Sequence, residues 1–311
     1  MFKLALFLFG SFWLSCGNAA QSNQIKTTSK EEILDTIQTV SIDTTLSNTS
    51  ENSTISTPEN NDETSENSEV LKKEEPTSKP VKVAQEKPKA TIKTNTVPSH
   101  SQWNSLLSKY VNDKGDVNYK AFQNDSAALN EYLNFLAENS PVKGWSKNEK
   151  LAYYINLYNA ATVKLILDNY PTNSIKDIKN PWGKDWVKTG DGLISLGDIE
   201  HKILREMNEP RIHFAINCAS YSCPKLLNKA FTASKMEAQL QSVTLDFIND
   251  KSRNIISKEK LQLSNIFKWY KKDFTENGSL ADYIKPYTAI EIDADTNIDY
   301  LKYDWNLNEA K

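Results

Sequence analysis

A candidate nucleophile, a candidate base and a partner thiol share one stretch, Pro210-Arg211-Ile212-His213-Phe214-Ala215-Ile216-Asn217-Cys218-Ala219-Ser220-Tyr221-Ser222-Cys223-Pro224. The chain has 3 histidines and 3 cysteines, so this segment holds a large share of its reactive side chains. Thiol catalysis needs a thiolate, a base within hydrogen-bond reach and a group that orients the base. Cys218, His213 and either Asn156 or Asn159 supply those types, the set used by Cys-His-Asn hydrolases and acyltransferases. The order of His before Cys is no obstacle, because such sites are defined by geometry. Glu200, His201, Asn217, Ser220 and Cys223 are the further residues expected to line the site.

The same residues admit other chemistry. A Cys218–Cys223 disulfide would close a small loop before Pro224 and stabilise it by ~2 kcal/mol in the chain-entropy treatment. A reversible dithiol is a weaker reading, since the spacing is not Cys-x-x-Cys. A zinc site built from His201, His213, Cys218 and Cys223 matches no standard ligand spacing, so no metal is expected. Ser220 or Ser222 as nucleophile is weaker still. The chain has no glycine-rich phosphate loop, and no cofactor is expected.

These residues need elements to hold them. Ile212 to Ile216 alternates and is β-branched, which predicts a strand leading into the Cys218 loop. Such a strand would point His213 away from Phe214, towards a central helix. That helix is predicted from Trp145-Ser146, with Glu149 completing a capping box, through Leu151 to Leu167. It is apolar on nearly all sides and therefore buried. Asn156 and Asn159 lie at i and i+3 on one of its faces. They either tie down a neighbouring loop or orient a catalytic histidine or a substrate. Amphipathic helices are also read at Trp103–Val111, Ala127–Leu136, Asp198–Arg205 and Ser234–Ile248, with closing helical segments at Ile266–Tyr270 and Leu280–Ile284. Trp186–Leu196 and Asn254–Leu263 read as hairpins. Helices interspersed with short antiparallel hairpins predict an α+β fold, mostly helical, with a small sheet around the buried helix.

The N-terminal part differs sharply. Met1-Phe2-Lys3 and the apolar run Leu4 to Phe9 read as a secretory signal, too short for a stable membrane span. The run ends in Trp13-Leu14-Ser15-Cys16-Gly17, which resembles the lipobox of bacterial lipoproteins. That resemblance implies cleavage before Cys16 and lipid attachment to it. An ordinary signal cut near Ala19-Ala20 is the alternative. Residues 17–99 are polar, of low complexity and lack aromatics, so they read as a disordered tether. A coil of about 80 residues spans on the order of 50 Å. The domain assignment is therefore 1–16 signal, 17–99 tether, 100–307 globular domain and 308–311 tail. The expected location is a bacterial cell envelope, lipid-anchored and facing the periplasm or the surface. The membrane is the expected partner through Cys16, beside an unknown substrate or protein. Net charge -3 and pI 5.8 point away from nucleic acid.

Leu151-Ala152-Tyr153-Tyr154-Ile155-Asn156-Leu157-Tyr158-Asn159-Ala160, Leu196 to Arg205 with its Asp-Ile-Glu-His core, and Pro210 to Pro224 resemble the signature blocks of the family called domain of unknown function 547. The resemblance runs from about Trp103 to Trp305, with Gly197 standing where an acidic residue is more usual. It implies that the asparagine pair, the Asp198–Arg205 helix and the His213-to-Cys223 stretch are shared family features. It implies no reaction, substrate or cofactor. Two classes of function stay open: an envelope hydrolase or acyltransferase acting on a peptide, amide or ester, and a non-catalytic, membrane-tethered scaffold with a Cys218–Cys223 disulfide.

Overall fold

A computed structural model describes residues 96–293 and 295–311. The segments read as leader and tether, with Cys16, lie outside the described residues up to residue 95. Helix α1 (Ser101–Tyr110) buries Trp103, Leu106, Leu107 and Tyr110 on one face, the i, i+3, i+4, i+7 stripe expected of a helix against a core. The following turn is held by Asn112, whose Oδ1 accepts the Lys114 and Asp116 N–H groups. Gly115 sits there at φ +83°, and a Cβ would lie 2.7 Å from the Lys225 Cβ, so only glycine fits. Helix α2 (Tyr119–Phe122) and helix α3 (Ser126–Glu138) complete the N-terminal layer.

Helix α4 (Lys147–Asp168) is the axis of the domain. The Ser146 and Glu149 side chains cap each other's backbone N–H, as the sequence predicts. Residues from Leu151 to Leu167 are buried around most of its circumference. Strands β1 (Val187–Thr189) and β2 (Gly192–Ile194) form the first hairpin, with Gly190 and Asp191 at the turn. Helix α5 (Leu196–Asp198) then continues into a π-helical stretch, Ile199–Leu204, and a 3-10 turn, Arg205–Met207.

The segment expected to be a strand is instead a 3-10 helix, Pro210–Phe214. Pro210 presets the φ of a first helical position, and the Glu209 side chain accepts the Arg211 N–H. Ile212 and Ile216 then face the core together through an Ile216 N–H to Ile212 C=O bond of 3.0 Å. The alternating pattern misled because His213 and Phe214 are buried as well. In a turn surrounded by protein, hydrophobic periodicity carries no strand information.

Helix α6 (Met236–Asn249) precedes the second hairpin, β3 (Ile255–Ile256) and β4 (Lys260–Leu263). Helices α7 (Asn265–Trp269), α8 (Lys271–Phe274) and α9 (Leu280–Ile284) follow. Strand β5 (Asn297–Tyr300), which the hairpin reading did not anticipate, adds to β4 in parallel, with Lys260 opposite Asn297 and Leu263 opposite Tyr300. The fold is α+β: helices around α4, a two-stranded sheet and a three-stranded one. Residues 308–311 are not a free tail. Asn308 is buried, and the Val117 backbone bonds both the Asn308 C=O and the Ala310 N–H.

Candidate active site

Asn156 and Asn159 act as clamps on two loops. Asn156 Nδ2 donates to the Phe231 C=O at 2.8 Å, and its Oδ1 accepts the Phe231 N–H at 3.0 Å. One turn further on, Asn159 Nδ2 donates to the Ala215 C=O at 3.0 Å, and its Oδ1 accepts the Asn217 N–H at 2.8 Å. Each amide therefore pairs like a peptide group, satisfying backbone that is buried and has no sheet partner. Neither asparagine bonds His213. The orienting group on that imidazole is Asp273, which the sequence did not single out.

Fixed at Asn217, the chain turns sharply through Cys218. Asn217 Oδ1 accepts the Ala219 N–H at 2.8 Å, and its Nδ2 donates to the Pro224 C=O at 2.7 Å. Ala219 is left-handed at φ +59°, a conformation that costs a residue with a Cβ about 1–2 kcal/mol. The C-terminal segment lies across this loop. Tyr221 N–H donates to Asn306 C=O, Ser222 N–H to Asp304 C=O, and Asn308 N–H to Ala219 C=O. That crossing delivers Tyr303 to the cysteines.

The Cys218 sulfur is surrounded by donors. Cys223 Sγ lies at 3.0 Å, Ser220 Oγ at 3.1 Å and Tyr303 Oη at 3.5 Å, and Ser220 also offers its backbone N–H. Both cysteines are free thiols here. Hydrogen bonding from Cys223 pulls the Cys218 thiol down to about 7 against the opposing effect of burial, with Ser220 and Tyr303 adding to the pull. Burial, and the neighbouring Cys218, push Cys223 the other way. The two thiols are thus unequal, and Cys218 is the one that ionises first.

Cys218 is half-buried on the wall of a cleft with a volume of about 320 Å³. Aromatic rings dominate that wall: Trp269 stacks on Trp305 at 5.7 Å, and Tyr303 packs on both. Trp182 meets Trp305 edge-on. Gly197 permits this. Its N–H donates to the Trp182 C=O at 2.8 Å, and a Cβ would sit 2.9 Å from that oxygen. Glu200 and His201 reach the cleft from the π-helical stretch, whose wider turn shows in the Arg205 N–H to Glu200 C=O bond. Such stretches recur at functional sites. Glu200 is buried, accepting from Tyr158 Oη at 3.1 Å and from Tyr270 Oη on its other oxygen. Burial raises both phenols, which keeps them protonated donors. His201 is exposed at the rim, with Nδ1 3.4 Å from Arg205.

His213 is buried beside this cleft. Its Nε2 lies 2.8 Å from Asp273 Oδ2, and its ring stacks on Tyr270 with centroids 3.9 Å apart. Arg205 holds the same carboxylate through Nε at 2.6 Å and Nη2 at 2.7 Å. Burial lowers the imidazole pKa, so the ring is neutral near pH 7. Asp273 accepts at Nε2, which assigns the proton there and leaves Nδ1 without a partner. Among the described residues Cys218 makes no hydrogen bond to an imidazole, so the expected Cys-His-Asn triad is not assembled. No group of three or more His, Cys, Asp or Glu residues among those described is placed to hold a metal ion.

The cleft therefore draws on α4, the π-helical stretch, the Cys218 loop, α7 and the C-terminal segment. A family model described as "Protein of unknown function, DUF547" matches residues 142–248. That stretch is similar to the family. Comparisons with curated proteins and with solved structures returned no match. The DUF547 stretch contains both asparagine clamps, Glu200, His213 and the two thiols. Tyr270, Asp273, Tyr303 and the Trp269–Trp305 wall lie C-terminal to it. The resemblance read from the sequence was wider, reaching Trp305. Tyr303 is the residue sequence reasoning missed most plainly, and its only signal was the aromatic density of Tyr300-Leu301-Lys302-Tyr303-Asp304-Trp305.

Proposed function

We propose that the domain is a thiol-dependent acyl-transfer enzyme, a hydrolase or acyltransferase, with Cys218 as its nucleophile. The observation that carries this reading is the Cys218 sulfur, ringed by donors on the wall of an aromatic cleft. A thiol with a pKa of about 7 is substantially ionised at neutral pH and needs no adjacent base to attack. The sulfur adds to the carbonyl carbon of an ester, amide or thioester and forms a C–S bond. The bond to the leaving group breaks, and the leaving group takes a proton from water at the open mouth. Water or another acceptor then attacks the thioester, loses its proton to solvent and restores the thiolate. His213, Asp273 and Arg205 back the cleft and hold Tyr270, without touching the sulfur. The leader adds the setting: an envelope protein held to a lipid surface through Cys16.

The 3.0 Å separation of the two sulfurs favours one second reading. Exchange with an external disulfide would join Cys218 to Cys223, release that oxidant as two thiols and leave a locked scaffold. Iodoacetamide labelling at neutral pH, followed by peptide mapping of the purified full chain, separates the two. The nucleophile reading expects Cys218 modified well before Cys223, and hydrolysis of a p-nitrophenyl ester lost in Cys218→Ser. Quantitative Cys218–Cys223 bridging would sink it in favour of the scaffold.

A further inference from the structure

Glu200 has a feature the thiol chemistry does not use. It is a buried carboxylate facing the cleft, 5% exposed. Both oxygens accept hydrogen bonds, one from Tyr158 and one from Tyr270. Among the described residues no lysine or arginine lies within ion-pair distance of it. Arg205, the cation on the neighbouring turn, is held bidentately by Asp273. Two phenols satisfy the lone pairs of Glu200, and Arg205, which feels Glu200 only at longer range, makes its ion pair with Asp273 instead. A cation arriving in the cleft would give this buried carboxyl group an ion-pair partner that the chain itself does not provide at contact distance.

The walls suit such an arrival. Aromatic faces carry negative potential and attract organic cations. The chain's own cations already use two rings of this cleft: the Lys176 ammonium lies 5.1 Å from the centre of Trp305, and the Arg205 guanidinium 5.5 Å from Tyr270. Both belong to the chain itself, whereas no lysine or arginine is among the residues that line the cleft in front of the packed Trp182, Trp269, Trp305 and Tyr303 wall. At about 320 Å³ it has room for a small head group and part of an acyl chain.

We infer that the cleft binds a substituted ammonium or amine group, clasped by the Trp182, Trp269, Trp305 and Tyr303 rings and neutralised by Glu200. Resting on the reading that this cleft is the substrate site, the substrate class becomes an acyl compound that carries a cationic amine near its reactive carbonyl. The neutral counterpart of the same shape gains the stacking but not the charge pairing, and this difference is the signature to measure.

The test uses the full chain, with choline and its neutral carbon analogue 3,3-dimethylbutan-1-ol as probes. Tryptophan fluorescence follows binding, and the rate of iodoacetamide labelling at Cys218 is read in parallel. Choline is expected to saturate the fluorescence change at a concentration about tenfold lower than the alcohol does, and to slow labelling of Cys218. Glu200→Gln, which keeps the shape of the side chain, is expected to remove about that tenfold preference while leaving the alcohol unaffected. Equal affinity of the two probes in the wild type would overturn the inference, since apolar stacking alone would explain it. Choline preference that persists in Glu200→Gln would overturn the role of Glu200. Choline binding with a Cys218 that never labels would instead count against the thiol reading and leave the cation site standing.

Discussion

Asn159→Ala is expected to lower the stability of the domain by about 3 kcal/mol, and to loosen the loop that presents Cys218. The amide is buried at 3% exposure and has two backbone partners, the Ala215 C=O and the Asn217 N–H. Alanine leaves both without a hydrogen bond, and each stranded buried group costs about 1–3 kcal/mol. The neighbouring 3-10 helix gives no alternative, because Ala215 and Asn217 are on the way out of it and have no sheet to join. Urea denaturation measures the loss, with the exposed Asn130→Ala as control, expected to stay within about 0.5 kcal/mol. A loss below about 1 kcal/mol would mean that Asn159 is not the clamp. The same variant should slow alkylation of Cys218, because Asn217 anchors the turn that brings the sulfur to Ser220 and Tyr303.

The second large effect lies behind the cleft. Asp273→Ala removes the acceptor of two Arg205 bonds and of the His213 Nε2 bond. The expected cost near neutral pH is about 2–3 kcal/mol, less than for a fully buried pair because Arg205 retains some solvent. Burial opposes the charged form of Asp273, but Arg205 and His213 outweigh it and hold the carboxyl far below its ordinary value of 3.8. The sign follows. A carboxyl whose folded pKa is depressed stabilises the fold fully above its unfolded value, and the contribution fades as pH falls below it. Asp273's own share of the wild-type advantage over Asp273→Ala should therefore hold from neutral pH down to about 4 and be lost in stronger acid, while the higher His213 pKa that Asp273 supports adds to the advantage as pH falls below 6.5. Paired urea curves across that range check it. An advantage that still grew well below pH 4 would contradict the assignment.

What the sequence made legible was what rests on local chemistry. The Ser146 capping box, the burial of α4 and the Gly190-Asp191 hairpin turn each follow from neighbours a few positions apart. The asparagine pair was legible as a buried polar face, although its partners were not: Phe231, Ala215 and Asn217 are distant in sequence and meet it by backbone. Asp273, Tyr270 and Tyr303 were illegible for the same reason. Tyr270 and Asp273 come from the α7–α8 stretch and Tyr303 from the C-terminal segment, and only packing brings them to the cleft and its backing. The strand expected at Ile212–Ile216 failed because burial on all sides erases the periodicity on which strand reading depends. The Cys-His-Asn expectation failed with it, since the 3-10 turn gives His213 to Asp273 and Tyr270.

The central claim is that Cys218 is an activated thiol, and its rate of alkylation against pH tests it most directly. Peptide-resolved labelling of the full chain with iodoacetamide gives the rate at Cys218 and Cys223 separately. The donors around Cys218 predict a rate that rises with pH and levels off with a midpoint at about 7, because the thiolate is the reactive form. Below that midpoint the rate should fall about tenfold per pH unit as the thiol takes up its proton. A midpoint at the ordinary thiol value of 9.0, or faster labelling at Cys223 than at Cys218, would contradict the account.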